Sequence, residues 1–141
     1  MSAARYFYKA YSPKMLNQIY KEKIQYRASA GMDNITPKVF GAHLTENIQI
    51  ISKKVLAGTY NFTRYREILI SKGRGKEPRV ISIPTIRDKL ALAAYHTFLQ
   101  NVFADTIEEP LLHTIVGSIS QSVLRGQDNG YVKIDITKFY S

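Results

Sequence analysis

The sequence contains no cysteine and no tryptophan. The first absence rules out disulfides and thiolate-held metal sites. No apolar run reaches membrane-spanning length, and the N-terminus lacks the apolar core of a signal peptide. A cytoplasmic location with no membrane partner is therefore expected. The three histidines, His43, His96 and His113, stand singly and form no ligand pair. Internal repeats and low-complexity tracts are absent as well. Acidic residues are scarce: eleven Asp+Glu against twenty Lys+Arg give a formal charge of +9. An excess of that size on a small chain attracts polyanions and speeds their encounter, although a merely soluble basic protein has the same arithmetic.

What is present is enough for one folded domain. The 141 residues are 45% apolar, which suits a globular chain with a real core but not two such domains. The positive charge is segmental. It concentrates in residues 9–27 and 64–89, while residues 97–112 carry only acidic charges. This is the pattern of a nucleic-acid face beside a separate packing face.

The first clear helix begins with Ser12 as cap and Pro13 in the first turn, where a missing N–H does no harm. Leu16, Ile19, Tyr20 and Ile24 follow at helical spacing. Residues 28–34 read as a loop. Thr36 and Pro37 then open a second helix with one apolar stripe, Phe40, Leu44, Ile48, Ile51 and Val55, and Gly58 is placed to end it. Two β-rich runs, Arg66 to Ser71 and Arg79 to Ile83, flank a connection with two glycines and Pro78, predicting a hairpin with a mobile tip. Thr85 with Asp88 three residues on resembles a capping box. The helix it opens, from about Ile86 to Phe103, has apolar residues around most of its circumference and is expected to be largely buried. After Pro110 the pattern weakens. A short helix at residues 118–124, a turn at 127–130 and an alternating strand at 131–136 complete the chain. The fold class expected is α+β, with residues 1–130 as a helical and fingers-like region and 131–141 as a separate strand segment.

Three groups of residues carry chemistry. Asp135 lies in an apolar strand between Ile134 and Ile136. It is either a strand-end carboxylate turned to solvent or a group held by pairing or a metal, because an unpaired buried charge is costly. Lys72, Arg74, Lys76 and Arg79 lie on or beside the glycine-containing tip, either as a solvated basic turn or as phosphate contacts. The spacing is not that of a Walker loop, and a strand rather than a helix follows. Tyr60, Phe62 and Tyr65 interleave with Arg64 and Arg66, fit either to stack on bases or to pack on the hairpin.

In chain order these pieces resemble the opening motifs of bacterial reverse transcriptases, the group that includes retron, group II intron and phage-defence enzymes. The resemblance begins at Gly31-Met-Asp33. It continues through Tyr60-Asn-Phe62, Ile70-Ser-Lys72, Arg79-Val-Ile-Ser-Ile-Pro84 and Arg87-Asp88, and ends in the Asp135-Ile-x-x-Phe-Tyr140 signature of the first palm strand. It implies an RNA-directed DNA polymerase with an RNA template, a nucleic-acid primer and dNTP as partners. Asp135 and the Ile136 carbonyl would hold Mg2+. Lys72 and Arg79 would neutralise the triphosphate. Tyr140 would crowd a ribose 2′-hydroxyl, and Arg64, Arg66, Arg74, Lys76 and Arg87 would line the nucleic acid. The family's second acidic motif and its thumb do not occur in the 141 residues, so this stretch alone is expected to be inactive. An unpaired final strand is expected to recruit a second copy or to stay disordered. The competing readings are a non-catalytic RNA-binding module and an RNA-directed RNA polymerase fragment. Tyr140 argues against the latter.

Overall fold

The computed structural model describes residues 2–104 and 112–126. The chain divides into two units, Met1–Thr106 and Ile107–Ser141. Among the described residues the fold is mixed α+β, with six α-helices, a π-helical turn and one two-stranded antiparallel hairpin. The strand expected at residues 131–136, and any pairing through it, lies outside the described residues.

The first unit opens with a helix that the sequence pattern leaves unassigned, α1 (Ala3–Ala10). Ser2 caps it, its Oγ accepting from Arg5 N at 3.4 Å. Arg5 and Lys9 lie exposed while Phe7 and Ala10 face the core, in a segment rich in aromatics. Those that matter are Phe7 and Tyr11, whose rings stand 4.9 Å apart, with Phe98 packed edge-on against Phe7. Tyr11 is buried and donates to the Ala91 carbonyl at 3.0 Å. Burial, with a smaller contribution from Tyr95, pushes its hydroxyl up to about 12.

Ser12 caps α2 (Pro13–Ile19), and the helix runs on into a π-helical turn, Tyr20–Ile24, closed by Gln25 N donating to the Tyr20 carbonyl. Leu16, Ile19, Tyr20 and Ile24 are all buried, as their spacing predicts. The stripe from Phe40 to Val55 also faces inward, but it belongs to two helices. These are α3 (Pro37–Ala42), capped by Thr36, and α4 (Leu44–Leu56). The break has a local cause. The Phe40 carbonyl accepts from His43 N and from the Asn47 side-chain amide, so the regular bond to residue 44 is replaced. Gly58 ends α4 in the left-handed region at φ 68°. There Gly58 N bonds to the Val55 carbonyl and Thr59 N to the Lys54 carbonyl, satisfying the last turn.

The core lies where α1, α2, the π turn and α4 meet α5 (Ile86–Val102). Leu16, Ile51, Ile86 and Leu90 are fully enclosed, and each such side chain contributes about 1.5–3 kcal/mol by leaving water. Most of α5 is buried or half-buried, as its composition predicts, while Leu92 and Tyr95, and Phe103 just beyond its end, are exposed. The described helices cover only the side bearing Ile86, Leu90, Ala91 and Ala94. In the second unit α6 (Leu112–Arg125) is longer than the helix expected at 118–124, and Gly126 follows it at φ 61°.

Candidate nucleic-acid interface

The hairpin pairs β1 (Arg66–Ile70) with β2 (Arg79–Ile83), Arg66 opposite Ile83 and Ile70 opposite Arg79. Alternation puts Arg66, Ile68 and Ile70 on one face of the ribbon and Glu67 and Leu69 on the other. Leu69, Ile70 and Val80 are about half exposed or more, so the ribbon stands off the helical core rather than packing into it. Its tip turns through Gly73 and Gly75, at φ 102° and 75°. That left-handed backbone carries a strain for side-chain-bearing residues that glycine does not incur. Gly73 N bonds to Ser71 Oγ, and Lys76 N to the Gly73 carbonyl. The outcome is four cationic side chains, Lys72, Arg74, Lys76 and Arg79, all exposed and gathered at the distal end of the ribbon.

At the other end of the hairpin lies a cleft of about 560 Å³. The loop residues Met32, Asp33 and Ile35 form one wall, Thr63 and Arg64 a second, and Thr85 and Arg87 a third. Arg87 Nη2 donates to Asn47 Oδ1 at 3.1 Å, while its Nε is buried with no acceptor among the described residues. The Nε of Arg66, at the base of β1, is in the same situation. The loop is held close by two contacts. A Cβ on Gly31 would lie 2.7 Å from the Thr85 backbone, so only glycine fits. Lys89 Nζ donates to the Ser29 carbonyl at 2.7 Å. Burial, and then the neighbouring Arg66 cation, hold the Lys89 ammonium below the usual lysine range.

The residue that organises this region is Asp88, which the sequence marks as half of a capping box and as part of the Arg87-Asp88 pair. Thr85 Oγ1 does accept from Asp88 N at 3.2 Å. The carboxylate, however, turns to the chain leading into β1. It accepts from Tyr60 Oη at 2.8 Å, from Thr63 N at 3.0 Å and from Thr63 Oγ1. A carboxylate only 1% exposed is tolerable because three donors replace its water. Burial and the bond to Asp88 raise the Tyr60 hydroxyl well above the usual tyrosine range. The Tyr60 ring is therefore a structural member, edge-on to Phe62 at 5.2 Å. Phe62 and Tyr65 stay exposed and free to meet a base or a partner.

The sequence-predicted residues thus fall into two groups. Lys72, Arg74, Lys76 and Arg79 cluster at the tip, and Arg64 and Arg87 line the cleft, with Arg66 at the ribbon's base. Asp135, Ile136 and Tyr140 lie outside the described residues, and the Mg2+ called for Asp135 and Ile136 lies there with them. Among the described residues no three His, Cys, Asp or Glu side chains converge on a common point. No described helix is long and apolar enough to cross a membrane. No protein-family model matches the chain, and no curated protein matches its sequence.

Proposed function

We propose that this chain supplies the fingers and first palm strand of an RNA-directed DNA polymerase. In this reading the cationic ribbon and the Arg64/Arg87 cleft hold the RNA template and the primer. The observation that carries the proposal is the arrangement around Pro84. A two-stranded ribbon with Lys72 and Arg79 at its distal end runs through Pro84 into a helix capped by Thr85, in the order of the motifs quoted above. Lys72 and Arg79 would contact the dNTP phosphates, Arg as a two-pronged donor and Lys as a point charge. Tyr140 would discriminate against a 2′-hydroxyl. Asp135 and Ile136 would supply one side of a Mg2+ site, which neutralises the triphosphate when the ion is bound.

The test uses the complete gene product with a primed RNA template and dNTPs. Asp135→Ala is expected to abolish incorporation while leaving template binding unchanged, and Lys72→Ala or Arg79→Ala to raise the KM for dNTP. A gene product that never incorporates dNTP yet binds RNA through the ribbon would replace this reading with that of a non-catalytic RNA-binding module. Incorporation of ribonucleotides in preference would indicate an RNA-directed RNA polymerase.

A further inference from the structure

The basic segment at residues 9–27 is not used by the ribbon or its cleft. Within it, Lys14, Asn17, Gln18, Lys21 and Gln25 recur at intervals of three and four along α2 and the π-helical turn, so they form one polar stripe. Two grooves adjoin this stripe and share Lys21. One is lined by Lys14, Asn17 and Gln18. The other, of about 470 Å³, lies between the π turn and α3 and is lined by Gln25, Tyr26, Lys38 and Gly41, among others. Among the described residues no carboxylate lines either groove. The nearest acid on the helix, Glu22, is occupied as the acceptor of the Gln18 amide at 2.9 Å.

Two features make the larger groove more than a solvated helix face. Its floor is rigidly built: Tyr20 is buried and donates to the Pro37 carbonyl at 2.6 Å, tying the π turn to α3. A Cβ on Gly41 would lie 2.5 Å from that same hydroxyl, so α3 approaches only because residue 41 has no side chain. At its edge, Tyr26 is 86% exposed. The Gln25 amide donates to its hydroxyl at 3.1 Å, fixing the ring beside the lysines. A π-helical insertion often marks such a site.

We infer that this surface is a second binding site for single-stranded nucleic acid, separate from the ribbon. Lys14, Lys21 and Lys38 would take successive phosphates, and Tyr26 would stack on a base. The inference does not depend on the polymerase reading. Lysines that act as point charges with a sequence-tolerant aromatic platform are the means by which proteins hold unpaired strands.

The experiment measures anisotropy of a labelled twelve-nucleotide oligouridylate, and of its deoxy counterpart, on the full chain over a salt series. Lys14→Ala/Lys21→Ala/Lys38→Ala is expected to weaken binding and to reduce the salt slope by about 2, at roughly 0.7 per phosphate. Tyr26→Ala is expected to weaken binding roughly 5- to 150-fold with the slope unchanged. Lys21→Arg/Lys38→Arg should bind like the parent. In a Lys72→Ala/Arg74→Ala/Lys76→Ala background the residual binding should still respond to Tyr26→Ala. All these side chains except Lys72, Arg74 and Lys76 lie on the helical body, and every one is exposed, so unchanged circular dichroism melts will confirm folding. Parent-like affinity and slope in the triple lysine variant, with all binding lost in the ribbon variant, would overturn the inference. A difference between the ribose and deoxyribose probes would show which strand the site prefers.

Discussion

Removing the Asp88 carboxylate should do more damage than its place in a helix's first turn implies. In Asp88→Ala three bonds are lost at once: from Tyr60 Oη, Thr63 N and Thr63 Oγ1. A hydrogen bond to a charged group contributes about 1.5–3 kcal/mol. Thr63 is an exposed residue, so its donors regain water and most of their share is recovered. Tyr60 is only partly exposed, and its stranded hydroxyl costs about 1–3 kcal/mol. The sum is about 3 kcal/mol, which for a unit of this size is a fall in Tm on the order of 15 °C. Asp88→Asn should lose about half as much, because the amide keeps one accepting oxygen but presents donors to Thr63. Residues 60–63 lead directly into β1, so under the proposed polymerase reading both variants should also weaken RNA binding. Thermal unfolding by circular dichroism, with anisotropy on the same samples, measures both effects. A loss below about 1 kcal/mol in Asp88→Ala would refute the claim that this carboxylate anchors the ribbon.

Gly41→Ala should cost about 1–3 kcal/mol by overpacking against the Tyr20 ring. Tyr20→Phe, which deletes the colliding oxygen, should relieve much of that in a double-mutant cycle. Leu90→Ala, at a fully enclosed position, should cost about 2–5 kcal/mol in a urea titration. Stability should also fall at alkaline pH. The Tyr11 hydroxyl is raised from 10.0 to about 12, and Tyr60 is raised as well. Their contribution is complete below the unfolded value near 10, and it is lost as pH rises through the folded values. Urea midpoints across pH 9–12 should therefore decline, and less steeply in Tyr11→Phe.

The elements whose ends are written in local chemistry were legible in the sequence. Ser12-Pro13, Thr36-Pro37 and Thr85 each cap the helix expected of them, and the hairpin strands fall within a residue of their predicted ends. What escaped was decided by individual side-chain contacts rather than by pattern. The division of the 37–56 helix depends on one side-chain amide, Asn47, competing for the Phe40 carbonyl. α1 carries a Ser2 cap and an Arg5/Lys9 polar face that the sequence reading passed over, and Phe7 and Tyr11 fix it on α5. The role of Asp88 rests on partners 25 and 28 positions upstream, which no periodicity reports. The basic tip was legible as charge, but the cleft was not, since residues 32, 64 and 87 become neighbours only when the loop at Gly31 presses onto Thr85.

Because β1 and β2 pair chiefly with each other, changes at the ribbon's tip, away from the Asp88 anchor, are separable from the endurance of the helical body. Lengthening the 71–78 turn carries only a loop-closure entropy, about 0.6 kcal/mol for each doubling, and exchanging its cations leaves Leu16, Ile51 and Leu90 untouched. Selection or engineering can therefore retune charge and reach at this end of the molecule without a matching change elsewhere.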